Sequence, residues 1–185
     1  MGWPSELALW QKSDQPLTRI EAPITTVPLQ AEWPQWAGRR GVIVAGQIDS
    51  PQEALAVAAL ADQLGWPLLA DAQSQLLQHP STISHVDLAL HGPSFRRELS
   101  RAEFLLQVGG RLLSKRLSQF IADHPWQQIW LLAANSQRLN PDYRLDRRLI
   151  APIADWCQLH QAAIDRQAPW HQLATLVATL PSRLL

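Results

Sequence analysis

RRGVIVAGQIDSPQEALAVAALADQLGWPLLAD, residues 39–71, reads as a strand, a helix and a second strand with no slack between them. Gly41-Val42-Ile43-Val44-Ala45-Gly46 is too short for a helix and does not alternate, as expected of a strand buried on both faces of a parallel sheet. Asp49-Ser50-Pro51 then marks a helix start: Ser50 can cap free amides and Pro51 brings a preset φ to the first helical position. Ala54, Val57, Leu60, Ala61 and Leu64 fall on one helical face, Gly65 is placed to end the helix, and Pro67-Leu68-Leu69-Ala70 resumes an extended path. This is a βαβ crossover, and it bounds the fold class.

The turn after the first strand, Ala45-Gly46-Gln47-Ile48-Asp49-Ser50, lacks the glycines that let backbone approach a pyrophosphate. It carries one glycine, a bulky Ile48, and Asp49, which would repel a phosphate. The residues argue against a nicotinamide or flavin dinucleotide here and for a Rossmann-like scaffold with an empty first loop.

Further βα units extend the pattern outward. Residues 102–108 read as a strand ending at Gly109-Gly110, followed by a helical stripe of Leu113, Leu117, Phe120 and Ile121. Ile129-Trp130-Leu131-Leu132-Ala133-Ala134 is a further central strand. Val86-Asp87-Leu88-Ala89-Leu90 reads as a short strand, residues 95–100 as a helical turn or more, and 135–148 as a polar loop. Helices are expected over about 152–161 and from Pro169 to Pro181. The fold class is therefore α/β, a doubly wound, mainly parallel sheet with helices on both faces.

Residues 39–185 form the α/β domain in this reading, and residues 1–38 an extended Pro/Trp-containing linker. Pro4, Pro16, Pro23, Pro28 and Pro34 interrupt every candidate helix there, yet Trp3, Trp10, Trp33 and Trp36 are unusual for a disordered tail. Either the segment wraps over the domain behind it, or it packs on something outside this chain.

With 185 residues, one such domain and an appendage are accommodated. The 16 basic and 16 acidic side chains cancel, so no global field draws the chain to nucleic acid or an acidic membrane. No apolar run approaches the roughly 18 residues of a membrane span, and the N-terminus does not read as a signal peptide. One cysteine, Cys157, makes no internal disulfide and suits a reducing, cytoplasmic setting.

Ligands of open α/β sheets meet the loops at the carboxyl ends of strands, which directs attention to residues 109–116. Lys115 and Arg116 stand in the first helical turn, where the dipole disfavours cations but an anion would gain from dipole and free amides together. Arg116 can clasp a carboxylate or phosphate bidentately and Lys115 supplies a point charge. The plainer alternative is a pair of solvated surface cations.

Arg138, Arg144, Arg147 and Arg148 cluster in sequence and could meet an anion or a carboxylate of a neighbouring domain. Asp142 and Asp146 among them equally suit a surface ion-pair network. His79, His85 and His91 lack a thiol or acidic partner at ligand spacing, so no metal site is assigned. Asp71-Ala72-Gln73-Ser74 could touch a ligand by position but is ordinary loop chemistry. Ser114 has no His and Asp companions nearby, and no catalytic or cofactor-binding residue is assigned.

These residues also carry a resemblance. Arg39-Arg40-Gly41-Val42-Ile43-Val44-Ala45-Gly46, Leu64-Gly65-Trp66-Pro67-Leu68, Phe104 to Leu112, Ser114-Lys115-Arg116-Leu117, Arg138-Leu139-Asn140-Pro141 and Arg147 to Trp156 together resemble the central domain of thiamine-diphosphate-dependent enzymes. Within that superfamily they are most similar to the menaquinone-pathway family of 2-succinyl-5-enolpyruvyl-6-hydroxy-3-cyclohexene-1-carboxylate synthases. The likeness implies a full-length transferase that uses thiamine diphosphate and Mg2+ to decarboxylate 2-oxoglutarate and add the succinyl-semialdehyde unit to isochorismate. It implies that Lys115 and Arg116 match a Lys-Arg pair meeting substrate carboxylates, and that this domain binds no flavin. The chain has no Gly-Asp-Gly segment of the kind that holds magnesium and diphosphate in the superfamily. The expectation is therefore an inactive middle piece whose partners are missing N- and C-terminal domains, homo-oligomeric at full length and monomeric alone. A stand-alone nucleotide-binding or anion-sensing module is the alternative.

Overall fold

The computed structural model describes residues 10, 12, 13, 19, 20, 27–83, 85–137 and 144–178. Its strands are β1 (Arg19–Ile20), β2 (Gly41–Ala45), β3 (Leu68–Ala70), β4 (Thr82–Ile83), β5 (Phe104–Val108), β6 (Gln128–Ala133) and β7 (Arg147–Ile150). They form one seven-stranded sheet in the order β1-β7-β6-β5-β2-β3-β4, and every described pairing is parallel. The chain runs outward from β2 through β3 to β4, then returns to β2's other side and runs from β5 to β7. The reversal places a topological switch point between β2 and β5.

Alternation along the buried strands builds two cores. Ile43, Ala45, Leu68, Phe104, Leu106, Trp130 and Leu132 face one way; Val42, Val44, Leu69, Leu105, Ile129 and Leu131 face the other. The first face is covered by α1 (Trp33–Ala37), α2 (Pro51–Leu64) and α6 (Ile153–Ala162). The second is covered by α3 (Val86–Ala89), α4 (Pro93–Leu99), α5 (Lys115–Asp123) and α7 (Leu173–Ala178).

Helix α2 buries all five of the face positions named above and ends at Gly65, whose φ is 62°. Ser50 does occupy its N-cap in extended geometry, but the hydroxyl makes no capping bond, so Pro51 carries the start. Trp33 lies fully buried against Trp66, Trp156 and Trp130, with ring centroids 6.1, 5.2 and 6.4 Å away. Its indole N–H donates to the His160 carbonyl at 2.9 Å. Pro34 does not prevent α1, because proline is tolerated in a first turn.

Three local expectations are corrected. Residues 86–90 are helical rather than extended: Val86, Ala89 and Leu90 are buried while Asp87 and Leu88 are exposed, a spacing of three and four. Arg147 and Arg148 leave the expected polar loop and join Leu149 and Ile150 in β7, since long arginine side chains can reach polar partners from a strand near the sheet edge. The last helix begins at Leu173 rather than Pro169, as the Trp170 indole N–H is drawn to the Gly41 carbonyl at 3.1 Å. Leu180 and Pro181 lie outside the described residues.

Candidate functional site

The carboxyl ends of β2, β3 and β5 gather three loops at the switch point. Gly46 N–H donates to the Val108 carbonyl at 2.8 Å, Gln47 N–H to Arg111 at 3.1 Å, and Gly110 N–H to Gln47 at 2.7 Å. A Cβ on Gly46 would stand 2.5 Å from the Gly110 carbonyl, and one on Gly109 (φ 87°) 2.4 Å from that of Gln47. The glycines therefore serve the approach of one loop to another, not the approach of backbone to an anion. The crevice is filled by the protein's own chain and these amides are spent. Among the described residues no three His, Cys, Asp or Glu side chains are placed to hold a metal ion. Among the described residues, the groups at this crevice do not fit thiamine diphosphate or its magnesium.

Lys115 and Arg116 are both exposed in the first turn of α5, beside Leu113, which is 52% exposed. The Arg116 guanidinium faces His91 Nδ1 at 3.4 Å. Three of the amides expected to be free beside them are not. Leu113 N–H and Ser114 N–H both donate to Asp71 Oδ2, each at 2.8 Å, and Leu117 N–H donates to the capping Ser114 Oγ at 3.0 Å. Ser114 Oγ in turn donates to Asp87 Oδ1 at 2.5 Å. A side chain of the chain itself, Asp71, thus takes up the amides just before the helix, and the two cationic side chains remain exposed to an incoming anion.

Asp71 is the residue that sequence reasoning passed over as loop chemistry. It sits one position beyond β3, is 2% exposed, and its Oδ1 has no hydrogen-bond partner. The available signal was an acid at the carboxyl end of a buried strand next to the switch point.

The arginine cluster does not converge. Arg147 and Arg148 are successive residues of β7 and point to opposite faces of the sheet. Arg147 donates bidentately to Glu32 at 2.8 and 2.9 Å and to Gln30 Oε1 at 3.1 Å, with its guanidinium 4.9 Å from the Trp130 ring centroid. It ties the segment before β2 to the sheet. Arg148 is buried, donates from Nη2 to the Asn135 carbonyl at 2.8 Å, leaves Nη1 unpartnered, and has its pKa lowered by burial. Arg144 donates to the Ala122 carbonyl. Arg147 and Arg148 thus cannot form one anion site, and Arg138 and Asp142 lie outside the described residues.

Elsewhere, Asp146 accepts the Ile129 N–H at 2.6 Å, and burial raises its carboxyl pKa. Cys157 is fully buried, its thiol pushed up by desolvation and then by Glu53, so it is no nucleophile. Among the described residues no helix is long and apolar enough to cross a membrane.

Comparison with known proteins places this architecture. A family model described as the middle domain of thiamine pyrophosphate matches residues 1–184. The chain is 47% identical over 173 residues to a 2-succinyl-5-enolpyruvyl-6-hydroxy-3-cyclohexene-1-carboxylate synthase of Aeromonas salmonicida, covering 94% of this chain and 30% of that protein. Proteins of the same name from Pectobacterium atrosepticum and Shewanella frigidimarina are 37% and 40% identical, covering 98% and 94% of this chain and 31% and 30% of theirs. The chain spans about three-tenths of the length of these relatives.

Proposed function

The chain belongs to the family of thiamine pyrophosphate middle domains, and from that premise we propose that it is the middle domain of a 2-succinyl-5-enolpyruvyl-6-hydroxy-3-cyclohexene-1-carboxylate synthase. The whole enzyme is a cytoplasmic, homo-oligomeric transferase of menaquinone biosynthesis. It decarboxylates 2-oxoglutarate and joins the resulting four-carbon unit to isochorismate. Thiamine diphosphate and Mg2+ are held by domains outside this chain, which by itself is monomeric and inactive. Residues 1–38 arrive from a preceding domain and lend β1 and α1 to the α/β body that residues 39–185 build.

Within that enzyme Lys115 and Arg116 meet a substrate carboxylate. The observation that carries this is their exposure together at the start of α5, on the carboxyl side of the sheet, with the neighbouring amides already bonded to Asp71. An anion there meets two exposed cationic side chains, and Arg116 offers a planar fork suited to a carboxylate.

The test measures isochorismate consumption by the full-length enzyme with 2-oxoglutarate, thiamine diphosphate and magnesium, comparing wild type with Arg116→Ala. Loss of one charge-assisted contact lowers kcat/KM by about tenfold to a hundredfold. Unchanged kinetics in the variant overturns the site, and a wild type without turnover overturns the activity.

A further inference from the structure

We propose that Asp71 is the positioning residue of the Lys115–Arg116 site, fixing the start of α5 so that both cations are presented to the substrate carboxylate. The inference rests on the reading of that pair given above and adds the residue that organises it.

Asp71 is joined to the sheet and to the loop at once. Its N–H donates to the Ala45 carbonyl at 2.8 Å, at the end of β2, and its own carbonyl accepts from Ser74 N–H at 3.0 Å. One carboxylate oxygen, Oδ2, then gathers the N–H groups of Leu113 and Ser114, more than 40 residues away in sequence. No described secondary-structure ladder holds residues 111–114, which carry no strand or helix assignment. The Asp71 carboxylate thus ties this loop to the end of β3 with two hydrogen bonds, beside the single bond from Gln47 N–H to the Arg111 carbonyl. Bonds from N–H groups to an ionised acceptor are stronger than neutral ones, and a negative charge at a helix N-terminus also offsets the cost of two cations in the first turn.

Asp71 is 2% exposed and so does not itself receive the substrate. Its action passes through the backbone of Leu113 and Ser114 to Lys115 and Arg116. Asn at this position keeps the shape and one acceptor oxygen but loses the charge, and places an NH2 where Oδ1 now has no partner.

The experiment uses the full-length enzyme in four forms: wild type, Asp71→Asn, Arg116→Ala and the double variant. The expected result is a rise of about tenfold in KM for the carboxylate substrate in Asp71→Asn with kcat changed far less. In the Arg116→Ala background the same substitution has a smaller factor, because only Lys115 is left for it to position. Equal factors in both backgrounds, or a kcat loss with KM unchanged, indicate a merely structural role and overturn the proposal. If Arg116→Ala alone is without effect, the carboxylate reading fails and the proposal falls with it. If Arg116→Ala acts and Asp71→Asn does not, only the proposal fails. Should Asp71→Asn not fold, residue-resolved hydrogen exchange on the wild type decides. Slow exchange of the Leu113 and Ser114 amides is expected, and exchange at the rate of an open loop overturns the tie.

Discussion

His160 makes the stability of this domain depend on pH in a window that the structure defines. The imidazole is fully buried and stacked on Trp156 with centroids 3.7 Å apart. Its Nε2 accepts the Gln30 N–H at 3.1 Å, so the single ring proton resides on Nδ1, which bonds the Trp156 carbonyl at 2.8 Å. A second proton would turn an acceptor into a donor facing an N–H group. Desolvation is the dominant cause that lowers the pKa to about 4 from 6.5, with the Trp156 carbonyl working the other way. A folded-state pKa below the unfolded one means that protons bind the unfolded chain first. The contribution is therefore complete above pH 6.5 and is lost as pH falls towards 4. Linkage puts the loss at about 2 kcal/mol by pH 5 and about 3 kcal/mol by pH 4. Urea unfolding of this chain between pH 7.5 and 4, with His160→Gln in parallel, checks it. Gln keeps a neutral acceptor for Gln30 and does not titrate. Subtracting the two curves removes His124 and His171, whose pKa values burial also lowers. A difference between the two proteins that stays constant from pH 7 to pH 4 refutes the reasoning.

Trp33→Ala should cost about 3–5 kcal/mol in the same assay, because it empties a fully buried site and strips the His160 carbonyl of its indole donor; a loss under 1 kcal/mol would mean that α1 is not part of the core. Arg147→Ala should cost about 1–2 kcal/mol, the sum of a partly exposed bidentate pair and a cation over Trp130. Arg147→Lys should not restore it, since an ammonium cannot reproduce the fork; full recovery of the urea midpoint by Lys would count against the bidentate geometry.

Much of the fold was legible because its signals are local. The β2-α2-β3 unit needed only a short apolar run, a helical stripe and a glycine in the right order, and each of these is decided within a few residues. The errors fell where two periods compete over a short run. Val86 to Leu90 satisfies a strand reading until burial reveals the three-and-four spacing. Arg147-Arg148-Leu149-Ile150 looks like a loop end until β6 provides a partner and Glu32, Trp130 and Asn135 accept the two guanidinium groups.

The site divides in the same way. Lys115 and Arg116 stand out in the sequence because cations in a first helical turn run against the dipole, and the glycines before them mark a tight loop. Sequence alone left the amides beside those cations free for an anion. Only the tertiary structure brings Asp71 to Leu113 and Ser114, and Gln47 to Gly109 and Gly110, across separations that no local pattern encodes. It likewise sends Arg147 and Arg148 to opposite faces of one strand. Periodicity, caps and turns are properties of neighbouring residues and so are written in the chain. Which donor meets which acceptor at the end of a sheet depends on strand order, and strand order exists only once the chain has folded.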